Sequence, residues 1–304
     1  MEALTNIRVS STRISNTAKT IQQVFNEVVQ ILLKHLELEA AYCFGFQSEE
    51  NLKHNILIDK TGQKEQHWQL SLLLIGTNFP PNATANLADI VSKQFKGEIN
   101  LGLLCYSPKQ IALSNNEHQH LFQKIIRSGW LIYGIPFEIA KLKLDNLPDL
   151  NYKGIIRYCE NRLMISESLL SNATQFLDQP LTAAFLLRNS IEQLSLAILY
   201  SFIHYHPNQF HIFYLLQLCQ SCCHHQEITW PIELFQDQRL KELLKTSASD
   251  LRFRSTDIFT KEDVQYLHHC CLSFKKKVEP LLQKQLLQLK SKSDEKEIEE
   301  EGEV

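Results

Sequence analysis

The feature that most constrains the fold is a change of periodicity at Pro148. Before it, short apolar runs of strand length alternate with segments whose apolar residues fall three and four apart; after it, only long helical periods remain. In the first half, Ile21, Val24, Phe25, Val28, Leu32 and Leu33 predict a helix capped by Asn16 and ending near Leu36. Ala40 to Phe46 and Leu70 to Ile75 read as strands separated by a polar insert, and the second is apolar enough to be covered on both faces. A helix follows Pro80-Pro81 through Ala85, Leu87, Ile90, Val91 and Phe95, then a third strand from Ile99 to Tyr106. A helix from Asn116 to Arg127 and a short apolar segment from Trp130 to Tyr133 close this half, and no internal repeat is present.

The alternation predicts a small α/β domain over residues 1–148 and an all-α bundle over 149–289, an α+β two-domain chain with its boundary near 145–153. Helices are expected at about 154–176, 181–204, 210–224, 236–253 and 260–289. Pro180 suits a first turn, and Thr260-Lys261-Glu262-Asp263 has the form of a capping box. In the last helix Val264, Leu267, Cys271, Phe274 and Val278 make one apolar stripe, the pattern of an antiparallel bundle. Residues 290–304 read as an acidic tail, frayed or disordered.

Composition narrows the functions. The net charge is −3, yet Ser291 to Val304 holds seven acids against Lys292 and Lys296, so the remainder sits near +2; neither balance suits non-specific nucleic-acid binding. No signal-peptide pattern and no membrane-length apolar run is visible, which sets the expectation of a cytoplasmic protein away from membranes. Eight cysteines, several of them adjacent or in apolar helical stretches, read as buried thiols. Cys219, Cys222, Cys223, His224 and His225, with His268, His269, Cys270 and Cys271, have the donor types of a zinc site, but they fall within or at the ends of helical periods and lack a knuckle turn. No metal and no cofactor are expected.

Five segments carry a family resemblance. Phe44-Gly45-Phe46 after the first strand and Gln69-Leu70-Ser71 on the second resemble the layout of a nucleotidyltransferase-like domain. Ala184 to Leu194, His206 to His211 and Leu251 to Phe259 are similar to the helical segments of a HEPN domain. A nucleotidyltransferase needs a Gly-Ser turn at the triphosphate and carboxylates for divalent metals. Here Phe46 stands at the Ser position, Gln69 and Ser71 at the paired carboxylates, and Asn100 and Gly102 where a third would lie. Ribonucleolytic HEPN proteins carry an Arg, then four to six intervening residues, then a His, and no Arg of this chain has a His at that spacing.

The resemblance therefore implies a non-catalytic protein that binds a nucleotide, RNA or a protein partner, with a homodimer formed through the helical domain. The expected site is an opening between domains near Gly45, Gln69 and Ser71, with Arg188, Arg252 and Arg254 as anion contacts. Arg188 and Glu192, one helical turn apart, can instead pair with each other; His211 can be a helix-start residue; Arg252 and Arg254 can pair with Asp250 and Asp257. Three rivals stand beside this reading. One is a toxin-like ribonuclease using His211 or His268, another a transferase with displaced carboxylates at Asp59, Glu65 or Glu98, and the third a purely structural dimeric adaptor.

Overall fold

The structure, a computed structural model, describes residues 20–53, 63–222, 237–253 and 259–302. It is an α+β fold in which four strands form one mixed sheet of order β3-β2-β1-β4. Helix α1 (Ile21–Leu32) starts one residue after Thr20, not at Asn16, which lies outside the described residues. Thr20 Oγ1 accepts from the Gln23 amide at 3.3 Å while Gln23 Oε1 accepts from the Thr20 amide at 2.8 Å, so two orphan amides are satisfied at once.

Strands β1 (Glu37–Lys53) and β2 (Gln63–Thr77) pair antiparallel and run well beyond their apolar centres, into what the sequence presents as a polar insert. Helix α2 (Ala83–Gln94) carries the chain across to β3 (Ile99–Tyr106), which pairs parallel to β2. A short α3 (Pro108–Ala112), which apolar periodicity does not reveal, is set by a capping box of Ser107 with Gln110 and by Pro108 in its first turn. Helix α4 (Asn116–Ser128) leads into β4 (Trp130–Gly134), antiparallel to β1. Gly134 ends that strand at φ +86°, where a Cβ would collide with the Glu39 carbonyl.

Beyond it come α5 (Tyr152–Gln175), α6 (Pro180–Ile203), α7 (Ile212–Cys222), α8 (Gln238–Leu244), α9 (Ala248–Phe253) and α10 (Lys261–Gly302). The stretch expected as one helix over 236–253 breaks at Lys245–Ser247, because Asp250 accepts from both the amide and the hydroxyl of Ser247, each at 2.7 Å, and starts a new helix. Helix α10 does begin with the Thr260/Asp263 capping box, and its stripe of Val264, Leu267, Cys271, Phe274 and Val278 is fully buried. It continues through Gly302 and so takes up most of the segment expected as a frayed or disordered tail. Leu286 and Leu289 explain part of that length, since they pack with Ile155, Cys159 and Tyr200.

The sheet is covered on both faces. Leu70, Leu72 and Leu74 of β2 pack toward α1 and α2, while Leu73 and Ile75 turn to the other side. That second face has no separate core: Tyr42, Leu73, Leu104 and Phe122 belong to one buried cluster with Leu187, Leu194, Leu215, Phe274 and Leu282 of the helical half. Polar ties cross the same seam. The Tyr106 and Tyr205 hydroxyls lie 2.8 Å apart, and Tyr214 donates its hydroxyl to the Leu103 carbonyl at 3.1 Å. Within the helical half, Ser166 and Ser190 exchange hydroxyl-to-carbonyl bonds of 3.0 and 2.8 Å where α5 meets α6.

Candidate functional site

The register places the residues singled out on the sheet in two rows. Gly45 pairs with Ser71 and Ser71 with Gly102; beyond them Gln47 pairs with Gln69 and Gln69 with Asn100. Because Leu70 and Leu72 point toward α1 and α2, Ser71 faces the helical half. Helix α7 crosses β1, β2 and β3 on that side, and Ser71 is 1% exposed with Gly45 also buried. Gly45 and Ser71 are thus shut off from solvent, while Gln69 is half-buried. Strand β1 runs on to Lys53, so Gly45 and Phe46 lie within it. Of the rival carboxylates, Asp59 and the side chain of Glu65 lie outside the described residues, and Glu98 contributes its carbonyl to the Trp68 amide at 2.7 Å.

Arg188, Glu192 and His211 form a second group. Arg188 sits 3.1 Å from Glu192 and donates to the Phe210 carbonyl at 3.2 Å, with both charged side chains less than a fifth exposed. Desolvation pushes the Glu192 carboxyl up, opposed by Arg188. His211 borders a cavity of about 310 Å³ with Asn86, Asp89, Gln209 and Gln217; burial lowers its pKa, with Asp89 opposing and Lys245 and Arg188 adding to it. Arg252 is exposed on α9, and among the described residues no hydrogen bond or ion pair links it to either group. Arg254 lies outside the described residues.

A larger cavity, of about 590 Å³, lies elsewhere on the seam. Its aromatic wall comes from Phe44 of β1, Trp130 of β4, Tyr152 of α5 and Phe202 of α6. Phe44 is there because of a bulge: Cys43 pairs with Leu72 and Gly45 with Ser71, which leaves Phe44 as the extra residue. Four basic groups also line it, namely His120 and Lys124 one turn apart on α4, His204 after the end of α6, and Lys292 of α10, with no carboxylate among the described lining residues. Neither lysine has an ion-pair partner among the described residues.

The two imidazoles are held from outside the cavity. His120 Nε2 donates to the Pro148 carbonyl at 2.8 Å, and His204 Nδ1 donates to the Tyr200 carbonyl at 3.0 Å. A carbonyl only accepts, so each bond fixes a tautomer and leaves the opposite ring nitrogen for a ligand. Burial lowers the His204 pKa; the Tyr200 carbonyl raises it, and Lys292, His120 and Lys124 lower it further. His204 adopts a left-handed backbone, φ 55° and ψ 36°, which turns its ring back over the end of α6. Sequence reasoning missed this site. The spacing of His120 and Lys124 on one helix face was its legible part, while Lys292 sat in the segment read as a tail.

A neighbouring cluster looks catalytic and is structural. His118 Nε2 accepts from the His206 backbone amide at 2.8 Å, and the His206 ring is packed between Tyr158 and Tyr200. Burial and the nearby His206 hold His118 down to about 4, so it stays neutral and keeps its acceptor lone pair. The cysteines are also used in packing: Cys219 donates its thiol to the Ser195 carbonyl at 3.4 Å, and Cys270 and Cys271 are buried in the core. Residues 223–225 lie outside the described residues, and among those described no group of three or more metal-ligating side chains is assembled. His268, considered above as a ribonuclease base, is lowered by burial and by His269.

No family model, no curated protein and no solved structure matches the chain. Among the described residues no helix is long and apolar enough to cross a membrane. What fold and site together define is an α+β protein with a basic, aromatic-walled cavity at the seam between its sheet and its helices.

Proposed function

We propose that this protein is a non-catalytic nucleotide-binding regulatory protein whose ligand occupies the seam cavity. One observation carries the reading: four basic side chains and four aromatic rings line a single space of about 590 Å³ with no carboxylate among the described lining residues. That volume falls inside the roughly 300–1,000 Å³ range of small-molecule sites. Aromatic faces suit a base, and lysines with imidazoles suit phosphate oxygens. A space of this size matches a single nucleotide better than a long RNA or a protein partner. The uncharged Gln69, Ser71, Asn100 and Gly102, at the places where the nucleotidyltransferase resemblance calls for carboxylates, favour binding without metal-assisted transfer.

Calorimetric titration with nucleoside mono-, di- and triphosphates and short RNAs, with and without magnesium, tests it. Magnesium-independent binding of a nucleotide, weakened at least tenfold by K124A/K292A, is the expected result. No binding by any nucleotide, or binding that the double substitution leaves intact, would overturn the assignment to this cavity.

A further inference from the structure

Resting on the nucleotide reading of the seam cavity, we propose that the site selects a terminal phosphomonoester over an internal phosphodiester, and that His204 takes up a proton when the ligand binds. The first part follows from charge. Lys124 and Lys292 bring two positive charges to the cavity mouth with no carboxylate in the lining and no ion-pair partner among the described residues. A phosphodiester offers one negative charge, whereas a terminal phosphate carries about −1.5 to −2 near pH 7 and can answer both lysines. A neutral nucleoside answers neither.

The second part follows from how His204 is held. Its Nδ1–H is committed to the Tyr200 carbonyl, so its Nε2 can donate to a phosphate oxygen only after gaining a proton. The neighbours that disfavour a charge on the ring are Lys292 from α10, and His120 and Lys124 from α4. The acids nearest Lys292 along α10 are Asp294 and Glu295; neither is part of the lining, and Glu295 is hydrogen-bonded to Ser291. In the empty cavity this surrounding charge and burial disfavour imidazolium. A bound dianion reverses the sign of the local field, and the ring becomes a third cationic donor on the phosphate. The left-handed backbone after α6 fixes the ring in this place, and Asn is the substitute that tolerates such a backbone while removing the titration.

The test is calorimetry with adenosine 5′-monophosphate, adenosine, inorganic phosphate and the dinucleoside phosphodiester ApA, each in two buffers of different ionisation enthalpy at pH 7.0 and pH 8.5. The expected result is that the monophosphate binds at least tenfold tighter than ApA and adenosine. It should tighten at least threefold from pH 8.5 to 7.0 with net proton uptake, and the uptake should disappear in His204→Asn while binding persists. Inorganic phosphate binding as tightly as the monophosphate would assign the site to free phosphate and overturn the nucleotide reading. ApA and monophosphate binding equally would overturn the monoester preference and leave the nucleotide reading standing. Unchanged proton uptake in His204→Asn would overturn the role of His204 alone. Absence of binding by every probe would overturn both readings.

Discussion

Replacing His118 with Gln should remove a defined share of the pH dependence of folding. The native ring is an acceptor for the His206 amide at 2.8 Å and is held near a pKa of about 4 by burial and by His206, against its ordinary value of 6.5. A base with a lowered folded pKa is neutral in both states above pH 7 and costs nothing there. As pH falls through 6.5 the unfolded chain takes the proton first, so stability declines until the folded state also protonates near pH 4. At about 1.4 kcal/mol per pK unit, this ring alone makes the protein roughly 2 kcal/mol less stable at pH 5.0 than at pH 7.5, approaching ~3 kcal/mol at pH 4. His204, His206, His211 and His268 are also lowered, so the wild-type slope is steeper than this share and only the difference between proteins isolates His118.

The assay is urea unfolding of wild type and His118→Gln at pH 7.5 and pH 5.0. At the higher pH the variant should be less stable by about 1–2 kcal/mol, for lost ring packing against Tyr205 and Phe122. At the lower pH that deficit should shrink by about 2 kcal/mol and vanish or reverse. The same deficit at both values would show that the ring is not the neutral acceptor described, and the reasoning would fail.

Two other outcomes follow from the seam. Leu215→Ala, at a fully buried position of the shared cluster, should cost about 2–5 kcal/mol and shift a single unfolding transition; separate transitions by tryptophan fluorescence and far-UV circular dichroism would show that the halves fold apart. Arg188→Met should destabilise by roughly 1–3 kcal/mol, less than full exclusion from water would give, and adding Glu192→Gln should restore part of it, whereas strictly additive losses in a double-mutant cycle would deny the pair.

The elements were legible where their own residues dictate them. The continuous apolar run of β2 predicts burial on both faces, and the stripe of α10 predicts its packing side, because period and burial are local consequences of side-chain direction. Asn16 was a plausible cap with the right chemistry, but Thr20 has Gln23 three residues on and wins by completing a reciprocal pair. The break before α9 was written in Ser247 and Asp250 and obscured by good apolar spacing on both sides. The site was much less legible. His120, Lys124, His204 and Lys292 are spread over more than half the chain, and only the tertiary fold collects them.

Why the cavity lies where it does follows from two local events on the sheet. Gly45, Ser71 and Gly102 form a row of small residues across three strands, and a face without bulky side chains lets α7 settle directly over it. One residue earlier on β1 the bulge turns Phe44 outward from that row, toward the end of α4 and the edge strand β4, where Trp130 stays half exposed. The cavity lies between that edge and the end of α6. It remains open because α6 stops at His204, whose left-handed backbone sends the chain back under α4 to seat Tyr205 against Tyr106. The same turn that closes the shared core thus leaves a basic, aromatic hollow beside it, so core packing and ligand binding depend on one short segment after Ile203.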